Sequence, residues 1–313
     1  GAMMQGEIRE GRGGLYTVRD DSAQEHVLRA KKKFRRDGLT PLPGDRVLFT
    51  PRSGEEHGWL EEILPRTSLC VRPPVANVGL MVIVLAPEPV PDLLLADKLL
   101  LTASLQGIEA AIAVNKSDMG LDCFEQVKET YAGAGVPVVA VSAQTGLGLD
   151  ELSDIMRGKL SCFAGQSGVG KSALLSRLMG VELVSGQISE KISRGRQTTR
   201  HTTLLYRDGL KVMDTPGFSL LDLPRELEPE ELPRHYPEFT PYAGDCRFQP
   251  CLHITEPGCA VRQAQREGAI DPGRAARYRE LARETHPDRF ADAPATCTCQ
   301  HPSVCLRLRL RMP

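Results

Sequence analysis

The segment Gly165-Gln166-Ser167-Gly168-Val169-Gly170-Lys171-Ser172 has the spacing GxxxxGKS. Glycines at those places let backbone N–H groups crowd around phosphate oxygens. Lys171 brings a cation to the β- and γ-phosphates, and the Ser172 hydroxyl is a ligand for Mg²⁺. Ala173 would lend its N–H to the α-phosphate. The flanks suit this reading: Lys159–Ala164 is strand-like and Ser172–Met179 helical, so the phosphates would sit on a helix N-terminus. Upstream, Asn115-Lys116-Ser117-Asp118 fits NKxD and follows Ile108–Val114, an apolar run that reads as a buried strand. A buried carboxylate at Asp118 only accepts hydrogen bonds, and guanine offers it two donors. Adenine would present a ring acceptor and leave a desolvated charge unpaired. Asn115 would brace the loops, Lys116 would lie along the base, and Ser142-Ala143 is the companion base-side pair. Asp214-Thr215-Pro216-Gly217 has the form of a γ-phosphate sensor. The base-reading motif precedes the phosphate loop, the reverse of the usual order, which implies a nucleotide-binding fold cut and rejoined at a new place.

A second group of residues has metal chemistry. Cys246, Cys251, His253 and Cys259 offer three soft sulfurs and one imidazole, a donor set that suits a closed, structural Zn²⁺ site. One such ion would hold together a segment read as having little apolar sequence of its own. Cys297, Cys299, His301 and Cys305 form a looser cluster, which could complete a metal site or be incidental residues of a tail. The Leu306–Arg311 alternation fits an edge strand, an RNA contact or disorder alike. Nine cysteines without a secretory signal argue for metal over a disulfide framework and for a cytoplasmic protein. No apolar run reaches membrane-spanning length, so no membrane partner is expected. Gly1-Ala2-Met3 reads as an expression scar ahead of Met4.

The elements that must carry these groups fall into three regions within 313 residues. Residues 4–72 hold short strand-like pieces at Leu15–Val18, Glu25–Leu28, Asp45–Phe49 and Trp59–Leu64, separated by glycine and proline, as in a small antiparallel barrel. Residues 73–222 alternate strand and helix in the manner of an α/β sheet, with Val78–Leu85 and Val136–Ser142 as further strands and Pro91–Gln106 as a helix. Pro-rich acidic sequence from Leu223 to Pro241 leads into the third region, residues 223–313. The net charge of −1 predicts no nucleic-acid partner, and local charge is more informative. Arg29, Lys31, Lys32, Lys33, Arg35 and Arg36 crowd one stretch. Arg262, Arg266, Arg274, Arg277, Arg279 and Arg283 recur in another. Each is either a solvated face or a surface for an anion such as RNA.

Taken together these motifs resemble the RsgA-type circularly permuted GTPases that act in late assembly of the small ribosomal subunit. The resemblance is carried by Lys33–Asp45, Glu61–Arg66, Arg72–Val78, the permuted nucleotide motifs, Asp214–Phe218 and the Cys-Cys-His-Cys spacing, over about residues 6–285. It implies an N-terminal OB barrel, a permuted GTPase domain, a C-terminal zinc domain, GTP as substrate and ribosomal RNA of the small subunit as partner. Aligned on the family's first switch, Thr199 would bind Mg²⁺, and Gln197 stands where the family usually has histidine. Phe218 occupies the place where a Ras-like enzyme has its water-orienting Gln.

The resulting expectation is a monomeric GTP hydrolase. Lys171, Mg²⁺ on Ser172 and Thr199, and the Gly217 N–H would hold the γ-phosphate, with Asp214 acting through a metal-bound water and Gln197 orienting the attacking water. His201 is the alternative for that last role. Because the chain after Asp214 leads out to the zinc domain, hydrolysis is expected to change how that domain is held. The competing class is a non-catalytic module in which GTP merely orders an RNA-binding platform.

Overall fold

The computed structural model describes residues 2–183, 201–215 and 227–289. Strands β1 (Met4–Arg12), β2 (Leu15–Asp20), β3 (Glu25–Ala30), β4 (Arg46–Thr50) and β5 (Gly58–Ile63) close into a barrel in the order β1-β2-β3-β5-β4. Alternate residues point inward, and Ile8, Val18, Leu28, Val47, Phe49 and Leu60 are fully buried. The barrel is not wholly antiparallel, because β3 and β5 run parallel. Five strands cannot alternate in direction all the way round a closed barrel, so one neighbouring pair must run the same way. β1 was not foreseen, since Gly6, Glu7, Glu10 and Gly11 hide its alternation. The basic stretch contains a short helix, α1 (Lys32–Arg36), pinned by Phe34, which packs into the barrel core.

The barrel is locked at Asp45. This buried carboxylate accepts from Leu42 N at 2.8 Å and takes both Arg66 Nε and Arg66 Nη2 at 2.8 Å. A β-ribbon of β6 (Leu69–Val71) and β7 (Pro74–Ala76) follows, and Asn77 Nδ2 donates back to the Gly44 carbonyl at 2.9 Å.

The second unit is a sheet of β8 (Leu80–Leu85), β9 (Glu109–Val114), β10 (Val138–Ala140), β11 (Leu160–Gly165), β12 (Leu204–Arg207) and β13 (Leu210–Met213), in the order β10-β9-β8-β11-β13-β12. All neighbours are parallel except the edge pair β12–β13. β8 is buried on both faces: Met81, Ile83 and Leu85 join one core layer, Leu80, Val82 and Val84 the other. The first layer is covered by α2 (Leu93–Leu105) and α3 (Asp122–Thr130), the second by α4 (Leu149–Met156) and α5 (Lys171–Met179). The chain builds β8, β9 and β10 outward, then returns to place β11 on the other side of β8. The loops after β8, β9 and β11 therefore meet at one end of the sheet, where open α/β folds bind ligands.

The third unit has more of a core than its composition suggests. The acidic Pro-rich stretch contributes Leu227, Leu232, Tyr236 and Phe239, which pack with Leu252, Ile254, Val261, Ile270 and Tyr278. Tyr236, Phe239 and Tyr278 pack ring against ring at centroid distances of 4.8–5.1 Å. The helix Pro272–Thr285 lies against α2, and Leu101 of α2 enters this core. The second arginine run also departs from an RNA-facing surface. Arg274 is 3 % exposed and pairs with Asp97 and Glu238, while Arg277 pairs with Asp97. At helical spacing these two arginines point into the neighbouring unit, a direction that charge counting does not register.

Candidate nucleotide site and metal centre

Asn115 ties the two separated nucleotide motifs together. Its Nδ2 donates to the Val169 carbonyl at 2.9 Å, and its Oδ1 accepts from Ala143 N at 3.2 Å. One buried side chain thus spans NKxD, the phosphate loop and the Ser142-Ala143 turn. Gly170 has φ +89°, and a Cβ there would collide with Asn115 Nδ2, so both conformation and space require glycine. Lys116 sits at φ 60° and reaches across to donate to the carbonyls of Glu88 at 2.8 Å and Gly168 at 3.0 Å. Ser117 is inward: its Oγ donates to Val114 O at 2.8 Å and its N–H to Val141 O. Asp118 is exposed rather than buried, because it lies on the turn beyond the end of β9. Its Oδ1 accepts from the buried Ser142 Oγ at 2.8 Å, which fixes the carboxylate's orientation.

On the phosphate side, β11 runs into the loop and α5 leaves it at Lys171, with Gly170 as its N-cap. Gln166 is anchored by Asp92 N and Val90 O, both at 3.1 Å. Val169 is fully buried and holds the loop to the core, whereas Ser167 and Gly168 face outward. Gly165 takes φ +137° where a Cβ would strike Val84 O. Lys171 Nζ donates to the Gly165 and Gln166 carbonyls at 2.8 Å each, and burial pulls its pKa below the ordinary lysine value. Ser172 is half-buried and Ala173 exposed on the first turn of α5.

Asp214 ends β13. Its Oδ1 accepts from Thr203 N and Thr215 Oγ1, both at 3.0 Å. Burial raises its carboxyl above the usual range, against the opposing pull of those donors. Gln197, Thr199, Gly217, Phe218 and the Cys297, Cys299, His301, Cys305 group lie outside the described residues. His201 is described, and its Nε2 lies 3.5 Å from Glu10 Oε2 of the barrel.

Cys246, Cys251, His253 and Cys259 converge as a buried group whose donor atoms all lie within 4.8 Å of one another. Cys246 Sγ is 3.9 Å from Cys259 Sγ, and His253 Nδ1 is 3.2 Å from Cys259 Sγ and 3.6 Å from Cys246 Sγ. A tetrahedron with Zn–S bonds of about 2.3 Å has edges of about 3.8 Å, so the set fits a four-coordinate soft ion. His253 is held at φ 61°, an uncommon conformation that turns its ring inward. Cys259 is the N-cap of the helix Ala260–Arg266 and accepts from Arg262 N at 3.4 Å; burial raises its thiol pKa, and this N–H pulls the other way. Glu256, which sequence reasoning missed, accepts from Leu252 N, Ile254 N and Thr255 N at 2.8–3.0 Å and so shapes the ligand loop. Burial alone would raise the Glu256 carboxyl, but these donors outweigh it and hold it below the usual range. No spacing rule marks such a residue; an isolated acid inside a Cys/His loop is the one available hint.

Barrel, permuted sheet, joined nucleotide loops and metal-ready lobe define a circularly permuted P-loop GTPase with flanking domains. The chain belongs to the RsgA GTPase family: the family model for the RsgA GTPase matches residues 63–224, and that for the RsgA N-terminal domain matches residues 5–60. It is 43 % identical over 288 residues to the Small ribosomal subunit biogenesis GTPase RsgA of Ruminiclostridium cellulolyticum, covering 89 % of this chain and 93 % of that protein. The protein of the same name from Moorella thermoacetica is 43 % identical over 270 residues, with 85 % and 92 % covered. Among solved structures, YjeQ from Thermotoga maritima superposes with a TM-score of 0.79 at 33 % identity, covering 91 % of this chain and 99 % of that one. YloQ, described as a circularly permuted GTPase, gives 0.76 at 32 % identity, with 92 % and 96 % covered. Among the described residues, no helix is long and apolar enough to cross a membrane.

Proposed function

We propose that this GTPase binds the RNA of a maturing small ribosomal subunit in the cytoplasm and uses GTP hydrolysis to time its release. The observation that carries the nucleotide reading is the Asn115 bridge, which makes one site of motifs that the sequence holds apart. Asp118, oriented by Ser142, accepts from the guanine edge, with Asn115, Lys116, Ser117 and Ala143 shaping that pocket. The Gly165–Gly170 backbone and Ala173 cradle the phosphates, and Lys171 neutralises the β,γ-bridge as charge develops. Ser172 and Thr199 are the residues that would hold Mg²⁺, which supplies charge neutralisation at the phosphates when bound. Asp214 and the Gly217 N–H sense the γ-phosphate, and Gln197 orients the water. Cys246, Cys251, His253 and Cys259 would hold one structural Zn²⁺. The partner follows from the relatives' names and from the exposed Lys32, Lys33, Arg35 and Arg36 on α1.

Co-sedimentation with purified small and large subunits, under a GTP analogue, GDP or no nucleotide, tests this. Retention by the small subunit in the GTP-analogue state alone is expected. Equal retention in all three states would remove the timing role, and preference for the large subunit would remove the partner. Multiple-turnover phosphate release with and without small subunits separates hydrolysis from mere nucleotide-gated binding.

A further inference from the structure

The barrel reaches directly into the surroundings of Asp214. β1 carries a bulge between Ile8 and Glu10: Ile8 pairs with Val18, but Glu10 pairs with Thr17, so Arg9 has no opposite number. In an unbroken strand Arg9 and Glu10 would point to opposite faces. The bulge re-aims the strand, so that Arg9 meets the first residue of β12 and Glu10 meets Thr203, the residue before it. Arg9 Nε donates to the Leu204 carbonyl at 3.1 Å, and Glu10 Oε2 accepts from Thr203 Oγ1 at 2.8 Å. Thr203 in turn donates its backbone N–H to Asp214 Oδ1 at 3.0 Å, while Asp214 N–H donates to Thr203 O at 2.9 Å. A chain of two hydrogen bonds therefore runs from a barrel carboxylate to the γ-phosphate sensor. His201 Nε2, buried and without a hydrogen-bond partner among the described residues, lies against the same Glu10 oxygen.

We infer that Glu10 is a positioning residue for GTP hydrolysis, so that the barrel's bulged strand completes the Asp214 site by fixing Thr203. This rests on Asp214 serving the γ-phosphate. The physical argument is orientational. Asp214 Oδ1 accepts from Thr203 N–H, and Thr203 is the last residue before the edge strand β12. Among the described residues β12 has one neighbouring strand, β13, and the Glu10 contact adds a side-chain restraint at Thr203, just ahead of it. Glu7, farther along β1, contacts β12 and β13 through Tyr206 Oη at 2.8 Å and Lys211 Nζ at 3.0 Å, away from Asp214. The two carboxylates thus separate docking of the barrel from positioning of the sensor.

Single-turnover hydrolysis, GTP affinity and melting temperature measured on the full chain test this. Glu10→Ala should lower the hydrolysis rate by about tenfold, with GTP affinity within about twofold, the low end of the loss seen when an outer partner of a metal site is removed. Glu10→Gln keeps an oxygen that accepts from Thr203 and should restore most of the rate. Thr203→Val should match Glu10→Ala, and the double variant should be no slower than either alone. Glu7→Ala, which loosens the same interface elsewhere, should leave the rate unchanged. An unchanged rate in Glu10→Ala, no rescue by Glu10→Gln, or an equal loss in Glu7→Ala would each overturn the inference. Lys171→Ala is the reference: if it hydrolyses GTP normally, the nucleotide-site reading itself fails, whatever Glu10 does.

Discussion

Arg277 Nε lies 2.6 Å from Asp97 Oδ2, joining the helix Pro272–Thr285 to α2 across the boundary between the metal-ready lobe and the GTPase sheet. Asp97 is fully buried, and its other oxygen accepts from Tyr131 Oη at 2.6 Å and lies 3.2 Å from Arg274 Nη1. Two arginines meet two acids here, Asp97 and Glu238, so the cluster is balanced. Removing one member leaves a buried charge uncompensated, at a cost of about 3–5 kcal/mol. Asp97→Asn should therefore lower urea stability by about that amount and weaken lobe docking, seen as faster proteolysis between the units. Stability within about 0.5 kcal/mol of the parent would show that the cluster is not a clamp.

The metal group gives a count. One zinc per chain is expected by elemental analysis, lost in Cys251→Ala together with several degrees of melting temperature. A chelator should unfold the C-terminal lobe while leaving the barrel intact. Full zinc content and stability in Cys251→Ala would remove the assignment. Two zincs per chain would promote Cys297, Cys299, His301 and Cys305 to a second site.

The basic stretch divides by function. Lys31 pairs with Glu61 of the barrel, while Lys32 and Lys33 are exposed around the buried Phe34 anchor. Reversing Lys32 and Lys33 to Glu should weaken subunit binding and reduce its salt slope by about two, with GTP affinity unchanged. An unaltered slope would make this a solvated face.

Lys31 should report on stability instead. Its hydrogen bond is the leading cause that holds the Glu61 carboxyl below the usual range, with burial opposing and Thr50 assisting. A lowered carboxylate contributes stability above its unfolded-state pKa and loses it as pH falls through the folded value. Lys31→Ala should thus cost stability at about pH 7 but little at about pH 3. Equal costs at both would assign its effect to packing.

The attacking water needs a polar partner, and Phe218 can supply none. Gln197→Ala should lower subunit-stimulated turnover by at least about tenfold, or about 1.4 kcal/mol on the barrier, with GTP affinity nearly unchanged. His201→Ala should do less. The reverse ranking would transfer the water-orienting role to His201, and no effect from either would point to the RNA partner.

What the sequence by itself determined is which residues stand together as candidates, in the phosphate loop, in the base-side segment and in the Cys/His group, because those groupings rest on short, local spacings. A phosphate loop must be contiguous for its N–H groups to converge, and Cys246, Cys251, His253 and Cys259 come from one short stretch that a single loop can fold together. Strand and helix periods were legible for the same reason: β8 and α2 are apolar runs whose pattern is complete within each element. What only the tertiary structure decided is what depends on partners far along the chain. Arg274 and Arg277 looked like a surface run, yet their acid lies on α2, about 180 residues away. Glu10 had no motif, and its bond to Thr203 spans 193 positions. β1 hid behind its glycines and acids, and its bulge exists only in register with β2. Such contacts are made between surfaces rather than along the chain, so no spacing in one sequence can encode them.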